Sequence, residues 1–364
     1  MKPKKSEIVT IALFCGFLAA MLLGYGILPK TEFSQLEKRY LAEAPKADPE
    51  DILSGQWGED AETYMADHIP GRDFLVGLNA YFDLLTGRQA GKDIRVAGDR
   101  LVEAPVAINT TDTYRKMSVI NSFAASVEQP VDLAIVPSAG WALEGQGGGY
   151  VDDAIIRGIY AMAGENVNPV DLLDTFENAS QLYYRTDHHW TSEGAYEGYR
   201  AYMTSIGGEF REKDAFAVET IPDFRGSTYS RSALWLTPGE DLELWQGSEN
   251  LTVTNGETQG DHEGIFYRER LAEADKYTVF LDGNHSLVRI VNPEKTGKIL
   301  VVRDSYSNCL GGFLAESFGE VVLVDLRYYV NSVSELAAAE NVDRVLILYS
   351  IGNFCTDTNI PRLR

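Results

Sequence analysis

One short segment concentrates residue types that acid–base and metal chemistry use. Thr186–Thr191 reads TDHHWT and holds two of the five histidines in the 364-residue chain. In an extended or turn backbone, alternate residues share a face, so Asp187 can hold one ring nitrogen of His189 and fix its tautomer. The other ring nitrogen is then free to act as a general base. The same geometry predicts that His188 points the other way, as a structural partner or a substrate contact.

Such a base requires a nucleophile, and the strand-to-helix turn at Asp304-Ser305 offers one. The apolar run at 298–304 predicts a buried strand, and a helical pattern follows it directly. Free backbone N–H groups at a helix N-terminus stabilise a developing oxyanion. Ser305 also suits a helix N-cap, a role that serine commonly takes. With His189 as base and Asp187 as orienting acid, Ser305 would complete a catalytic triad.

Asp187, His188 and His189 also match one motif of manganese-dependent phosphoesterases. Those enzymes need several further Asp and His ligands from upstream motifs, and no H-x-D motif occurs upstream of TDHHWT. We therefore predict no metal and no cofactor, and keep the metal phosphoesterase as a minor alternative.

The elements that must position these residues alternate between strand and helix patterns. Short runs rich in β-branched residues, separated by helical patterns, predict a doubly wound parallel α/β sheet. Sites in such sheets lie beyond the carboxyl ends of the strands. The strand runs are VDLAIVP (131–137), KILVVRD (298–304), EVVLVDL (320–326) and RVLILYS (344–350). We assign residues 96–364 to a catalytic domain, with a β-rich insertion at about 205–275 that either shapes the cleft or is a neutral surface insertion.

The N-terminus predicts a membrane anchor, residues 1–29. Residues 8–28 read IVTIALFCGFLAAMLLGYGIL, 21 residues without a charge, which as a helix span the roughly 30 Å hydrocarbon core. Lys2, Lys4 and Lys5 precede this run, so the positive-inside rule predicts a cytoplasmic N-terminus and an extracytoplasmic catalytic domain. A cleaved signal peptide is the alternative, although its apolar region usually has only about 7–15 residues.

Residues 30–95 are predicted to form a juxtamembrane helical segment that packs on the body. Within it, the apolar pattern of residues 61–87 predicts two helices broken at Pro70-Gly71.

Composition limits the classes of molecule that the chain can bind, and the cysteine count limits the disulfides that it can form. The formal charge is −22, from 32 basic and 54 acidic residues. Nucleic acid is therefore not an expected partner, because phosphate binding requires basic surface. Cys309 and Cys355 are the two cysteines beyond the anchor, and they either form a disulfide or remain free thiols.

The motifs resemble the DHHW family of exported SGNH-hydrolase-like proteins, which are similar to the alginate O-acetylation proteins of bacterial exopolysaccharide systems. The more specific pieces are TDHHWT, with the Gly-Ala-Tyr helix after it, and RDSYS at 303–307. Weaker pieces are FSQLEKRYLAEAP (33–45), DHIPGRD (67–73), FLDGNHSL (280–287) and DLRYY (325–329). By this resemblance Ser305 is the nucleophile, His189 the base and Asp187 the orienting acid. Arg303 departs from the family pattern, which has Gly before Asp-Ser.

The resemblance also implies an oxyanion hole and a glycan-binding cleft. Besides the Ser305 N–H, the candidates beside the oxyanion are Gly283, Asn284 and Asp304. The Asp282-Gly283-Asn284 sequence suits a β-turn equally well. Candidates for substrate binding are Trp190, His188, Tyr328, Tyr329 and Arg303, with Trp141 as a further aromatic.

The expected function is a membrane-anchored, serine-dependent O-acetyltransferase or O-acetylesterase that acts on a cell-surface or secreted polysaccharide. An acyl donor would form an acetyl-enzyme on Ser305, and the resemblance implies a membrane-bound acyltransferase partner that supplies acetyl groups. The main alternative is a noncatalytic glycan-binding or polysaccharide-assembly protein of the same fold.

Overall fold

The protein is described from a computed structural model, which covers residues 4–89, 93–256 and 260–363. The chain divides into two compact units. The first contains the described residues before Asp93 together with Ser230–Leu236, and the second contains the remaining described residues. TDHHWT and Ser305 both belong to the second unit.

The first unit begins with one long apolar helix, α1 (Lys5–Ile27). Its 23 residues are long and apolar enough to cross a membrane, and its side chains are not buried in the protein. A signal sequence has the same features, so the direction of insertion stays a prediction.

The rest of the first unit contains a small hairpin and three helices. Pro70 and Gly71 separate two of the helices, as predicted, and Gly71 has the left-handed φ of +69° that glycine favours. Arg39 reaches from the hairpin to the buried Asp67 with nitrogen–oxygen distances of 2.6 and 2.9 Å. This contact ties the hairpin to the end of a helix. The elements are β1 (Phe33–Ser34), β2 (Arg39–Tyr40), α2 (Pro49–Ser54), α3 (Gln56–Asp67) and α4 (Arg72–Leu85).

A mixed sheet of eight strands forms the core of the second unit. The strands of this unit are β3 (Ile94–Ala97), β4 (Arg100–Glu103), β5 (Val131–Val136), β6 (Val167–Val170), β7 (Ala217–Phe224), β8 (Glu240–Gln246), β9 (Thr252–Asn255), β10 (His262–Glu263), β11 (Leu287–Val291), β12 (Lys298–Arg303), β13 (Glu320–Val324) and β14 (Arg344–Ser350). The order across the large sheet is β10-β9-β11-β13-β12-β14-β5-β6. The five strands from β13 to β6 are parallel, whereas β11, β9 and β10 continue the sheet in antiparallel pairs.

The four strand runs in the sequence become β5, β12, β13 and β14, and the α/β class is confirmed. The predicted parallel sheet is found in five strands, but the whole sheet is mixed, because β11 pairs antiparallel with β13 and carries β9 on its other edge. The segment at about 205–275, predicted as one β-rich insertion, is divided between two sheets. Strands β7 and β8 form a separate hairpin, while β9 and β10 belong to the main sheet. Buried and partly exposed positions alternate in β11, a pattern typical of a strand with one covered face.

Helices connect the parallel strands and cover the sheet. The predicted helices after β12 and β13 are α11 (Ser307–Leu314) and α12 (Val333–Glu340). Cys309 on α11 and Cys355 on α13 are separate thiols. The helices of the second unit, with α10 extending into Ser230–Leu236, are α5 (Thr110–Ser126), α6 (Ala139–Glu144), α7 (Asp152–Tyr160), α8 (Leu173–Phe176), α9 (Ser192–Ser205), α10 (Ser227–Ser232), α11 (Ser307–Leu314), α12 (Val333–Glu340) and α13 (Ile351–Thr356).

Candidate active site

Asp187, His189 and Ser305 form one hydrogen-bonded row. Ser305 Oγ lies 2.8 Å from His189 Nε2, and His189 Nδ1 lies 2.5 Å from Asp187 Oδ1. All three side chains are buried, with Ser305 8% exposed. These contacts are the ones that a nucleophile, a general base and an orienting carboxylate require. The structure thus brings the three residues together, and their catalytic roles stay predictions.

Ser305 lies just beyond the carboxyl end of β12, in the turn that leads to α11. The N-cap position of α11 is Tyr306, so Ser305 is not the helix cap. Within the described part of the chain, the backbone N–H of Ser305 donates to no acceptor. This N–H is therefore free to donate to a substrate carbonyl oxygen, while the hydroxyl is hydrogen-bonded to His189 Nε2.

Asp304 has a structural role that its position next to Ser305 did not predict. Its Oδ2 accepts hydrogen bonds of 2.8 Å from Ser350 N, Ser350 Oγ and Asn353 Nδ2. Its Oδ1 accepts from Tyr306 N at 3.0 Å. Since both oxygens are engaged, Asp304 ties the ends of β12 and β14 together and supports the turn that carries Ser305.

Asp187 is held by a loop that the sequence analysis did not single out. Ser227 N donates to Asp187 Oδ2 at 2.6 Å, and His189 N donates to Oδ1 at 2.8 Å. Gly226 lies so close that an added Cβ would stand 2.2 Å from Asp187 Cβ and Oδ2. Burial raises the pKa of Asp187, but the neighbouring imidazoles and these hydrogen bonds hold it well below its ordinary value. Asp187 is therefore a carboxylate at neutral pH.

The buried Glu240 at the start of β8 holds the loop that leads into TDHHWT. Its carboxylate accepts hydrogen bonds from Arg185 N at 2.8 Å, Thr186 N at 2.7 Å and Thr186 Oγ1 at 2.6 Å. Three donors on one carboxylate define the path of the backbone immediately before Asp187. Part of the predicted β-rich insertion thus supports the candidate site.

Trp190 is a core residue and does not line a cleft. Its indole is fully buried, and its Nε1 donates to Tyr306 O at 3.0 Å. Helix α9 approaches the indole closely, because an added Cβ at Gly198 would stand 2.8 Å from the ring. The Trp after the two His therefore joins the TDHHWT loop to the turn that carries Ser305.

His188 does not point away from His189 as predicted. The two ring centroids are 3.8 Å apart, because the backbone bends through residues 185–189 instead of extending. His188 Nδ1 lies 2.5 Å from Ser227 Oγ. Burial and the neighbouring His189 lower the pKa of His188, so it is neutral at neutral pH. It is a partner of the loop that holds Asp187.

Tyr277 is a contact of His189 that the sequence analysis missed. The two rings stack with centroids 3.9 Å apart and an angle of 5° between their planes. Tyr277 is buried, and its hydroxyl has no hydrogen-bond partner among the described residues. The flat contact restricts rotation of the imidazole and keeps Nε2 directed at Ser305.

The Asp282-Gly283-Asn284 segment holds two candidate donors to the oxyanion, and the N–H of Gly283 is already engaged. Its N–H donates to Phe280 O at 3.1 Å inside a turn, and its φ is +83°. The β-turn interpretation is therefore correct for Gly283. Asn284 is exposed, and its Oδ1 accepts hydrogen bonds from Arg303 Nη1 at 3.3 Å and Asn308 Nδ2 at 3.1 Å.

The remaining substrate-binding candidates differ in how far their side chains are exposed to solvent. Arg303 is fully buried and Trp141 is buried, so neither presents a side chain to a glycan. Arg303 ends a strand that is covered on both faces, which explains its burial. Tyr328 is 52% exposed and Tyr329 is partly exposed, so these two remain candidates.

The side chains of Asp187, His188 and His189 also form a possible metal-binding group, with ligand atoms within 4.8 Å of one another. Two ligands bound tetrahedrally at about 2.1 Å from one ion lie about 3.4 Å apart. Asp187 Oδ1 and His189 Nδ1 are 2.5 Å apart, which is a hydrogen-bond distance. Because His189 Nε2 faces Ser305, the arrangement fits proton transfer better than joint metal ligation.

Comparisons with known proteins agree with the resemblance seen in the sequence. Residues 154–324 match the DHHW protein family, which confirms that similarity. A DHHW family protein from Eubacterium siraeum DSM 15702 superposes with a TM-score of 0.64 and 23% identity, over 75% of this chain and 97% of its own. Bacillus cereus PatB1 superposes with a TM-score of 0.60 and 21% identity, over 74% and 99%. PatB1 with a sulfonyl adduct gives a TM-score of 0.61 and 20% identity, over 74% and 98%. No curated protein sequence matches the chain. At these identities the likeness shows a shared fold.

Proposed function

We propose that this chain is a serine-dependent O-acetyltransferase or O-acetylesterase with an SGNH-hydrolase-like catalytic domain. The observation that supports this most directly is the row from Ser305 Oγ through His189 to the carboxylate of Asp187, with contacts of 2.8 and 2.5 Å. The position of Ser305 beyond the carboxyl end of a buried parallel strand also agrees with it.

In the proposed first step, His189 Nε2 removes the hydroxyl proton of Ser305 while Oγ attacks the acyl carbonyl carbon of the donor. The Ser305 N–H donates to the oxyanion that forms. The intermediate then expels the donor's leaving group, which takes the proton from His189, and an acetyl ester remains on Ser305. Asp187 stabilises the transient imidazolium and keeps its Nδ1 proton in place.

In the second step, an incoming hydroxyl group attacks the acetyl ester while His189 accepts its proton. Oγ leaves and regains a proton from His189, which restores the free enzyme. If the hydroxyl belongs to a sugar, the product is an acetylated polysaccharide, and if it belongs to water, the product is acetate. Exclusion of water from the acetyl-enzyme decides between transfer and hydrolysis.

The proposed setting is the outer face of a cell membrane. A single α1 anchor with a cytoplasmic N-terminus would hold the second unit outside, where a cell-surface or secreted polysaccharide is accessible. A membrane-bound acyltransferase that supplies acetyl groups is the proposed partner, by resemblance to the family. The exposed Tyr328 and the partly exposed Tyr329 are the proposed sugar contacts.

Covalent labelling tests the nucleophile directly. PatB1 has the same fold and has been solved with a sulfonyl adduct. The purified full chain would be incubated with p-nitrophenyl acetate or with a sulfonyl fluoride, and its intact mass measured. We expect one adduct per chain in the wild type, and none in Ser305→Ala or His189→Ala, because both the hydroxyl and its base are required.

Ser307→Ala is the matched control, since it removes the other serine of RDSYS and is expected to label like the wild type. An adduct that persists in Ser305→Ala would disprove the assignment of the nucleophile. A wild type that binds glycans without labelling or turnover would favour the noncatalytic alternative. Manganese-dependent phosphoesterase activity would favour the metal alternative.

A further inference from the structure

We infer that Arg303 is a positioning residue that, through Asn308, turns the Asn284 amide into a hydrogen-bond donor for the oxyanion on the acyl group. This inference rests on the proposed function, because it assigns a second donor to the same acyl-transfer site. It also gives a role to the arginine that stands in the family's glycine position before Asp-Ser.

Arg303 is a buried cation without an anionic partner. No carboxylate among the described residues forms an ion pair with its guanidinium, and its Nε has no hydrogen-bond partner. The acids that influence it are engaged elsewhere, since Asp325 is paired with Arg327 and Asp304 accepts four hydrogen bonds. Burial lowers the pKa of Arg303 to about 10, so it remains charged at neutral pH. An unpaired buried charge is destabilising, which favours a functional reason for it.

The acceptors of Arg303 are neutral. Its Nη1 donates to Asn308 Oδ1 and, at 3.3 Å, to Asn284 Oδ1. Its Nη2 donates to the carbonyl oxygen of His285 at 3.4 Å. A guanidinium has only donors and does not lose its proton in this pH range, so every group that faces it must present an oxygen.

The need to present an oxygen to Arg303 fixes the orientation of two amides, first that of Asn308 and then that of Asn284. Asn308 must direct its oxygen at Arg303, so its Nδ2 is left to donate to Asn284 Oδ1, at 3.1 Å. Asn284 Oδ1 then receives donors from both Arg303 and Asn308. Its Nδ2 must therefore point away from both donors, and Asn284 is an exposed residue. Without the arginine, either amide could rotate by 180° and exchange oxygen for nitrogen.

The chain of amides lies beside the nucleophile. Asn308 is in the first turn of α11, and its backbone N–H donates to Ser305 O at 3.1 Å. Asn284 contacts the side chain of Asn308 and so stands next to the turn that carries the free N–H of Ser305. In the inferred oxyanion hole, the backbone N–H of Ser305 and the side-chain amide of Asn284 donate together, and the nearby positive charge of Arg303 strengthens both donors.

Asn308→Asp separates this role from a purely structural one. The carboxylate gains an ion pair with Arg303 at the N-terminal turn of a helix, where it competes with Asn284 Oδ1 for Nη1. It also has no N–H to donate to Asn284 Oδ1, and as an acceptor it draws Asn284 Nδ2 towards itself and away from the oxyanion. We expect the Tm to rise by about 2–4 °C. We expect the acylation rate constant at saturating p-nitrophenyl acetate to fall about 100-fold, as when an oxyanion donor is lost, with the half-saturating concentration unchanged.

Asn121→Asp is the matched control, because Asn121 makes comparable side-chain contacts on α5, with Met162 O and Gly164 N. It should leave the acylation rate constant within about twofold of the wild type. If Asn308→Asp is stabilised and acylates at the wild-type rate, the inferred role of Arg303 is wrong. If Asn308→Asp does not fold, Arg303→Lys tests the same inference. Lysine keeps the positive charge but lacks the planar guanidinium, so the acylation rate constant should still fall while the half-saturating concentration stays unchanged. Failure of the proposed function looks different, because the wild type itself would then not acylate, and the inference would fail with it.

Discussion

Asp187 and Arg303 are both buried charges in the neighbourhood of Ser305, but their surroundings differ. Asp187 is surrounded by donors, with Ser227 N at 2.6 Å and the ring and backbone nitrogens of His189 at 2.5 and 2.8 Å. Arg303 contacts only neutral oxygens and leaves its Nε unpaired. One charge is thus compensated locally, whereas the other is not.

The difference indicates two uses of a buried charge. A compensated carboxylate holds a single ring in one tautomer and does so at little cost in stability. A cation without an anionic partner retains its electric field, and its N–H groups donate to neutral acceptors. It therefore imposes an orientation on the amides around it. Removal of the first charge should therefore impair both chemistry and stability, while removal of the second should impair chemistry alone.

The largest effect is expected for Asp187→Asn. The amide cannot accept the Nδ1 proton as the carboxylate does, so His189 would adopt the wrong tautomer, and acylation should fall about 10⁴-fold. The loss is measured as the rate of p-nitrophenolate release from p-nitrophenyl acetate. Asp132→Asn, which alters a buried acid paired with Arg344, is the control and should retain the wild-type rate. A loss of less than about tenfold in Asp187→Asn would remove Asp187 from the mechanism.

Arg303→Met should have the next largest effect and sharpens the comparison. Acylation should fall about 100-fold, because Asn308 and Asn284 lose their fixed orientation. The Tm should change little, because removal of an unpaired buried charge offsets the loss of the three hydrogen bonds that Arg303 donates. Calorimetry and acylation kinetics on the same preparation test both statements. A Tm that falls in parallel with the activity would mean that Arg303 is simply structural.

Gly226→Ala tests how closely the surroundings of Asp187 are packed. The added Cβ would stand 2.2 Å from Asp187 Cβ and Oδ2, so the carboxylate must move relative to His189. We expect acylation to fall about 10- to 100-fold. Gly158→Ala is the control, because a Cβ there meets no atom within 4 Å. Equal rates in the two variants would show that the position of the carboxylate is not critical.

The smallest effect concerns stability as a function of pH. The pKa of Asp187 is lower in the folded than in the unfolded chain, so the folded state binds fewer protons there. Its stabilisation is therefore complete above the unfolded value of about 4 and is lost as the pH falls through the lower folded value. The Tm of the wild type should exceed that of Asp187→Asn most at about pH 7, and the difference should narrow below about pH 4. A difference that does not change with pH would contradict the assignment of Asp187 as a buried carboxylate.

Local sequence patterns were sufficient to predict several features of this chain. The length and apolarity of the first helix, the break at Pro70-Gly71 and the strands β5, β12, β13 and β14 depend on neighbouring residues in the sequence. The grouping of Asp187, His189 and Ser305 was also predictable, because a serine nucleophile needs a base and an orienting carboxylate, and the Asp-x-His pair supplies both residue types. Their roles in catalysis remain predictions.

Other features depend on residues that are far apart in sequence and have no motif. The contact of Ser227 with Asp187, the stacking of Tyr277 on His189 and the burial of Trp190 arise only when separate elements pack. The antiparallel strands beyond β13 were missed because a half-covered strand such as β11 resembles an ordinary surface hairpin in sequence.

The sequence by itself determined which residues have side chains suited to the proposed acyl transfer, because side-chain types and local spacing are properties of the chain. Only the tertiary structure decided which of them are available. Burial excludes Arg303 and Trp190 from substrate contact, and the turn at Gly283 engages its N–H. Exposure and hydrogen-bond partners depend on the whole fold, so the direction in which Asn284 presents its amide could not be predicted from the sequence around it.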